Sequence, residues 1–159
     1  MTLKKLFVKI LLIFLVLAIG FCGLLYFSLR TRVNDISNQE PFASFIGKEI
    51  ILGQEAILVN NYEHFVHEEP LYLDAVGSQL FEGTTIACKL SKGDIIVINS
   101  VKDVTNGVSG TTSTILLGEV TTGNPSKTKP FEYDWGNQQI AKNSKGVYLF
   151  TFDTADWEK

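Results

Sequence analysis

Arginine is absent from the chain after Arg32, and acids outnumber lysines there. From Val33 to Lys159 the sequence holds nine lysines against 17 aspartates and glutamates, a formal net charge of −8. Nucleic-acid binding depends on cations that contact phosphates, and arginine supplies the bidentate contact. The composition therefore predicts no nucleic-acid partner for this part of the chain.

Cysteine is equally scarce. Cys22 lies in an apolar segment, which leaves Cys88 as the one thiol of the remaining sequence. A disulfide within that remainder is therefore excluded. Cys88 falls in the middle of a strand-like run, and we expect a structural thiol there, because a nucleophilic cysteine needs a nearby base.

The chain has only two histidines, His64 and His67, both in the stretch YEHFVHEEP (62–70). They are the weak candidates for metal ligands, with glutamates beside them. A metal site needs three or four ligands, and no second cluster supplies the others. The sequence therefore predicts neither a metal nor a cofactor. The alternative function is a small-ligand-binding or hydrolytic domain that uses this acidic loop.

Motifs with catalytic spacing are also lacking. The stretch TNGVSGTTST (105–114) is rich in glycine, serine and threonine, but it has neither the Gly-Lys-Ser/Thr of a phosphate loop nor the spacing of a nucleophile elbow. Asn106-Gly107 is a strong hairpin signal. We expect a hairpin loop here, and a chain that is not an enzyme.

What the sequence does have is a long hydrophobic run. Residues Ile10 to Leu29 carry no charge, and a helix of this length reaches ~30 Å, the thickness of a bilayer core. Two alternatives are a lipoprotein signal, disfavoured by the bulky Phe21 before Cys22, and cleavage after Gly20, which would leave a hydrophobic tail. A retained transmembrane helix at 10–29 is the favoured interpretation.

Flanking cations predict the orientation. Lys4, Lys5 and Lys9 precede the run, whereas Arg30 and Arg32 follow it and are soon joined by acids. The excess of cations on the N-terminal side predicts a cytoplasmic tail at 1–9. We expect a single-pass protein of a bacterial inner (plasma) membrane whose C-terminal domain is periplasmic or extracellular.

The rest of the chain is predicted to be all-β. A polar linker at 30–41 is followed by a domain at 42–159, in which alternating apolar runs are separated by glycine turns. This pattern predicts a small β-barrel or β-sandwich. Short helical turns are expected in 42–47, 61–68 and 136–143. The predicted strands lie within 48–53, 55–63, 69–78, 84–90, 93–104, 113–122, 131–135 and 146–153.

One part of this domain is similar to a known fold. The segment KLSKGDIIVINSV followed by STILLGEV resembles the middle of an SH3-like small barrel, where a tight turn enters a buried strand and a hairpin follows. The resemblance concerns the fold and implies no activity.

Two stretches, FEYDWG (131–136) and FDTADWEK (152–159), interleave aromatic residues with acids. Aromatic side chains dominate the energetics of protein interfaces, so the predicted partner-binding residues are Tyr133, Asp134, Trp135 and Trp157. The alternative is a purely structural role, in which the aromatic residues belong to the core and the acids are solvated.

These observations favour a membrane-anchored extracytoplasmic module that binds a protein without catalysis. The acidic domain suits a basic partner. Two concrete versions are an immunity-type protein that neutralises a toxin and an accessory subunit of an envelope complex, and the sequence does not separate them.

Overall fold

The computed structural model describes residues 3–62, 68–122, 127–136, 139–142 and 148–151, together with Ala155 and Trp157. Among these residues it contains one α-helix, a short 3-10 helix and ten strands. The helices are α1 (Leu3–Ser28) and the 3-10 helix (Phe42–Ser44). The strands are β1 (Arg32–Asp35), β2 (Glu49–Ile51), β3 (Ala56–Asn60), β4 (Tyr72–Ala75), β5 (Thr85–Leu90), β6 (Ile95–Thr105), β7 (Thr112–Thr122), β8 (Lys127–Asp134), β9 (Gln139–Lys142) and β10 (Tyr148–Thr151).

Helix α1 contains nearly all of the predicted apolar span. It has 26 residues and is therefore ~39 Å long. Its apolar side chains are exposed all along its length, as expected of a helix whose solvent is lipid. By length and composition, α1 can cross a membrane.

Eight of the strands form one sheet, which confirms the predicted β-rich domain. The order is β1-β6-β7-β8-β4-β3-β5. Strand β2 also pairs with β6, on the edge that β1 occupies: β1 pairs with the end of β6 and β2 with its beginning. All pairings are antiparallel except that of β4 with β8. Within the described residues no pairing joins β1 or β2 to β5, so the sheet is not closed and is consistent with a sandwich or a small barrel. Strands β9 and β10 pair separately.

The core follows the alternation of the two longest strands. Ile96 and Ile98 of β6 are fully buried. A bulge between Ile98 and Ser100 then changes which residues face the core, so that the next inward side chain is Val101. Gly118 of β7 lies opposite Ile98, and a Cβ there would meet the carbonyl oxygen of Val97 at 2.6 Å. Only glycine allows the neighbouring backbone to approach this closely.

The segment at 30–41 differs from the expected linker. Residues 32–35 form β1, which pairs with β6 from Arg32↔Thr105 to Asp35↔Lys102. Ile36 follows as a buried core residue. The side chains of β1 are all exposed, so no alternating pattern marks it as a strand. Pairing with β6 places this segment within the domain.

The expected helical turns have three outcomes. The turn in 42–47 is confirmed by the 3-10 helix. The turn in 136–143 is wrong, because Gln139–Lys142 forms β9 and pairs with β10, and this pairing outweighs the local preference. Most of 61–68 lies outside the described residues.

Candidate interaction site

The end of strand β8 brings three of the predicted interface residues together. The rings of Tyr133 and Trp157 lie with centroids 4.8 Å apart, and those of Trp135 and Trp157 lie 5.7 Å apart. The backbone N–H of Trp135 donates to the carbonyl of Thr114 at 2.9 Å, and that of Gly53 donates to the carbonyl of Trp157 at 2.8 Å. These hydrogen bonds fix the backbone of each tryptophan to a different segment of the domain.

The 3-10 helix supplies the second half of the cluster. The ring of Phe45 lies 5.6 Å from that of Trp135, and the ring of Phe42 lies 6.0 Å from both. The pairs are tilted or edge-to-face, the arrangements that aromatic rings prefer. Phe42 is buried beneath, whereas Phe45 is partly exposed.

A groove of about 270 Å³ opens over this cluster. It is lined by Phe45, Ile50, Ile51, Trp135 and Trp157, which we call the aromatic groove. The side chain of Ile51 is 67% exposed at its rim. The five lining side chains that the structure describes are all apolar or aromatic, so the groove suits an apolar side chain of another molecule.

The four predicted partner-binding residues have different places around the groove. Trp135 and Trp157 line it, while Tyr133 supports it from below. Tyr133 is only 7% exposed and Trp157 only 5%. Asp134 does not line the groove, and its Oδ1 accepts the N–H of Gly136 at 2.7 Å. The partner-binding role of all four stays a prediction.

Sequence reasoning missed the other lining residues. Ile50 and Ile51 are consecutive, so they point to opposite faces of the short strand β2, and one of two such apolar side chains is left outside. This doubled isoleucine was the available signal. Phe45 had none, because its place depends on the 3-10 helix packing beside Trp135.

Strand β8 also carries a buried acid that sequence reasoning did not single out. Glu132 is only 2% exposed. Its Oε1 accepts the backbone N–H groups of Glu68 and Glu69, the latter at 3.1 Å, and its Oε2 accepts the hydroxyl of Tyr62 at 3.2 Å. We call these contacts the Glu132 bracket. They hold the described ends of the segment that contains the histidines.

Electrostatics around the bracket follow from burial. Burial, and then the nearby Glu132, raise the pKa of the Tyr62 phenol and that of the Glu69 carboxyl. Burial also raises the pKa of Tyr72, whose ring lies 4.7 Å from that of Tyr62. Lys102 forms an ion pair with Glu68 at the outer side. Tyr62 therefore stays a neutral donor to Glu132 at physiological pH.

A small cavity of about 130 Å³ adjoins these phenols. Its lining includes Tyr62, Tyr72, Asp74 and Phe81. The Asp74 carboxylate is already used, since its Oδ1 accepts the hydroxyl of Ser78 at 2.6 Å and the N–H of Ala75 at 2.7 Å. The cavity has room for only a few heavy atoms.

The histidine candidates cannot be placed. His64 and His67 lie outside the described residues. Among the residues that are described, no group of three or more potential ligands could hold a metal ion. Cys88 is half-buried, in the middle of β5 as expected.

In comparisons with known proteins, no family model matches this chain, and no curated protein or solved structure is significantly similar to it.

Proposed function

We propose that this chain is a membrane-anchored, non-catalytic module that binds another protein through the aromatic groove. The observation that carries the proposal is the groove itself, in which two tryptophans, a phenylalanine and an exposed isoleucine lie around one hollow. Aromatic anchors seated in desolvated pockets contribute most of the binding energy at protein interfaces.

The position of Ile51 at the rim of the groove favours a partner that approaches away from the anchor. Ile51 pairs with Ile95 at one end of β6, and Arg32, which closely follows α1, pairs with Thr105 at the other. Ile95 and Thr105 are ten residues apart on β6, a distance of ~33 Å at ~3.3 Å per residue. Ile51, at the rim of the groove, is therefore at the opposite end of the hairpin from the helix, whereas Trp135 pairs with Thr114 at the level of Asp103, closer to the helix.

Charge and strand pairing indicate the chemistry of the partner. The chain beyond Arg32 carries a formal net charge of −8, which attracts a basic partner and steers its approach. Among the described strands, β2 pairs with β6 alone, so an extended segment can lie along its other edge. We infer an extended segment that combines lysine or arginine with one large apolar side chain.

The orientation remains part of the proposal. Lys4, Lys5 and Lys9 precede the apolar run and favour a cytoplasmic N-terminus, with the domain in the periplasm or outside the cell. A reporter fused after Lys159 tests this, since a cytoplasmic signal would contradict it. The identity of the partner decides between an immunity-type protein and an accessory subunit.

The binding test is site-specific crosslinking in cells with the full-length chain. A photo-crosslinking amino acid at Ile51 is compared with one at Ile86, an isoleucine that is 47% exposed on β5, at the far end of the strand order. We expect one partner to crosslink at position 51 and not at 86. Mass spectrometry should map the crosslink to a basic and apolar segment.

A pair of matched variants sharpens the test. Ile51→Asp should weaken capture ~30-fold, the equivalent of ~2 kcal/mol at a binding hot spot, because it places a charge at the apolar rim. Ile86→Asp should leave capture unchanged. Equal loss in both variants, or equal crosslinking at both positions, would contradict a role for the groove.

A further inference from the structure

The loop between β6 and β7 is held rigid by its own hydrogen bonds. The ladder ends at Thr105 and Thr112, whose hydroxyl oxygens lie 2.8 Å apart. The side-chain oxygen of Asn106 then accepts the N–H groups of Val108 at 2.8 Å and of Ser109 at 3.1 Å. The loop therefore presents its tip in a defined position.

This loop lies directly against the end of α1. A Cβ added to Gly107 would overlap the backbone of Leu29 and would come within 2.7 Å of the carbonyl carbon of Arg30. Only a residue without a side chain allows this approach. Pairing of Arg32 with Thr105 fixes the same end of the hairpin to the chain that leaves the helix.

The tip has the chemistry of a lipid-facing loop. Val108 is 79% exposed, and residues 106–111 carry no charge. Arg30 and Arg32 are exposed beside it, as is Val33. An uncharged tip with one exposed apolar side chain, flanked by cations, is suited to the interface of a membrane that contains anionic lipids.

We propose that the loop Asn106–Gly110 rests on the bilayer with Val108 in contact with lipid, so that the domain is seated on the membrane surface. This inference rests on the membrane anchoring in the proposed function, and it is independent of partner binding. Seating at this end keeps Ile51, which pairs with Ile95 at the far end of the hairpin, away from lipid.

The test uses the full-length chain in vesicles of phosphatidylcholine and phosphatidylglycerol, with Cys22→Ala and Cys88→Ala as background. Val108→Cys carries an environment-sensitive fluorophore, and a spin label near the lipid headgroup quenches it on contact. Ile51→Cys, at the opposite end of the hairpin, is the matched control. Flotation shows separately that the chain is anchored.

We expect strong quenching at position 108 and only the solvent background at position 51. Arg30→Gln with Arg32→Gln should reduce the quenching in anionic vesicles. Equal quenching at both positions in chains that float with the vesicles would overturn the proposal. Chains that fail to float would overturn it together with the anchoring, whereas partner capture through Ile51 is unaffected by either vesicle result.

Discussion

The two faces of strand β8 carry different kinds of side chain, aromatic on one face and acidic on the other. On one face, Phe131 and Tyr133 pack into the hydrophobic core, and Trp135 continues this line into the aromatic groove. On the other face, Glu132 accepts hydrogen bonds from backbone and phenol groups of the segment at 62–69. At residues 131–133 both faces are buried, one by apolar contact and the other by a polar network.

This difference shows what an alternating sequence does and does not determine. Alternation along FEYDW places aromatic and acidic side chains on opposite faces. It does not say whether the acidic face meets water. Here a segment far away in the sequence covers Glu132, so the acid is buried and the strand is enclosed on both sides at residues 131–133.

The largest expected loss of stability comes from a substitution on the apolar face of β8. Phe131→Ala removes a fully buried ring and should lower the free energy of unfolding by about 3–5 kcal/mol. Denaturant titration of the full-length chain in detergent micelles measures this. Tryptophan fluorescence is the probe, because both tryptophans belong to the β-domain. Ile86→Ala, at an exposed site, should cost far less, and an equal cost would show that the ring is not a core element.

A substitution on the polar face of β8 should give the second largest loss of stability. Glu132→Ala leaves the backbone N–H groups of Glu68 and Glu69 without their acceptor, whereas the Tyr62 hydroxyl keeps the carbonyl oxygen of Glu69 at 3.0 Å, and we expect a loss of about 3 kcal/mol. Glu132→Gln keeps one carbonyl oxygen and should cost about 1 kcal/mol. The same titration compares them. If both variants lose the same amount, the network does not act through its hydrogen bonds.

Tyr62 should give the smallest effect at neutral pH. Tyr62→Phe removes one hydroxyl donor from the Glu132 bracket and should cost about 1 kcal/mol. Its pH dependence is more specific. Burial raises the pKa of Tyr62 in the folded state, so the unfolded chain loses this proton first, at about pH 10. Stability is complete below that pH and falls as the pH rises beyond it.

Denaturant titrations across this alkaline range test the sign. The wild-type chain should lose stability faster with rising pH than Tyr62→Phe does. Tyr72, whose pKa is also raised by burial, leaves a residual slope in that variant. If the substitution leaves the decrease of stability with rising pH unchanged, Tyr62 is not the group that causes it.

Much of the fold could be predicted from local pattern. The apolar run of α1, the alternating runs that become β3 to β7, and the Asn106-Gly107 hairpin are all encoded within a few neighbouring residues. Strand β1 could not be found in this way, since its side chains are all exposed and only its pairing with β6 defines it. Strand β9 likewise depends on its partner β10.

The candidate site was predictable only in part. Trp135 and Trp157 could be named as an aromatic pair, but the hydrogen bond between Gly53 and Trp157 that brings them together is a long-range contact. Glu132 could not be recognised, because an acid inside a strand is usually solvated. Its burial follows from Tyr62 and Glu69, which reach it across the sheet.

The parallel pairing of β4 with β8 has a consequence for how the chain folds. It joins two groups of antiparallel strands, β3-β4-β5 and β6-β7-β8, at Tyr72 and Glu132. Each group consists of strands close in sequence, whereas the junction closes a long loop, which is the slower event. We expect each group to assemble first and the junction to close last. During synthesis the earlier group has to wait, with one edge of β4 unpaired, until the ribosome has made the chain through Asp134.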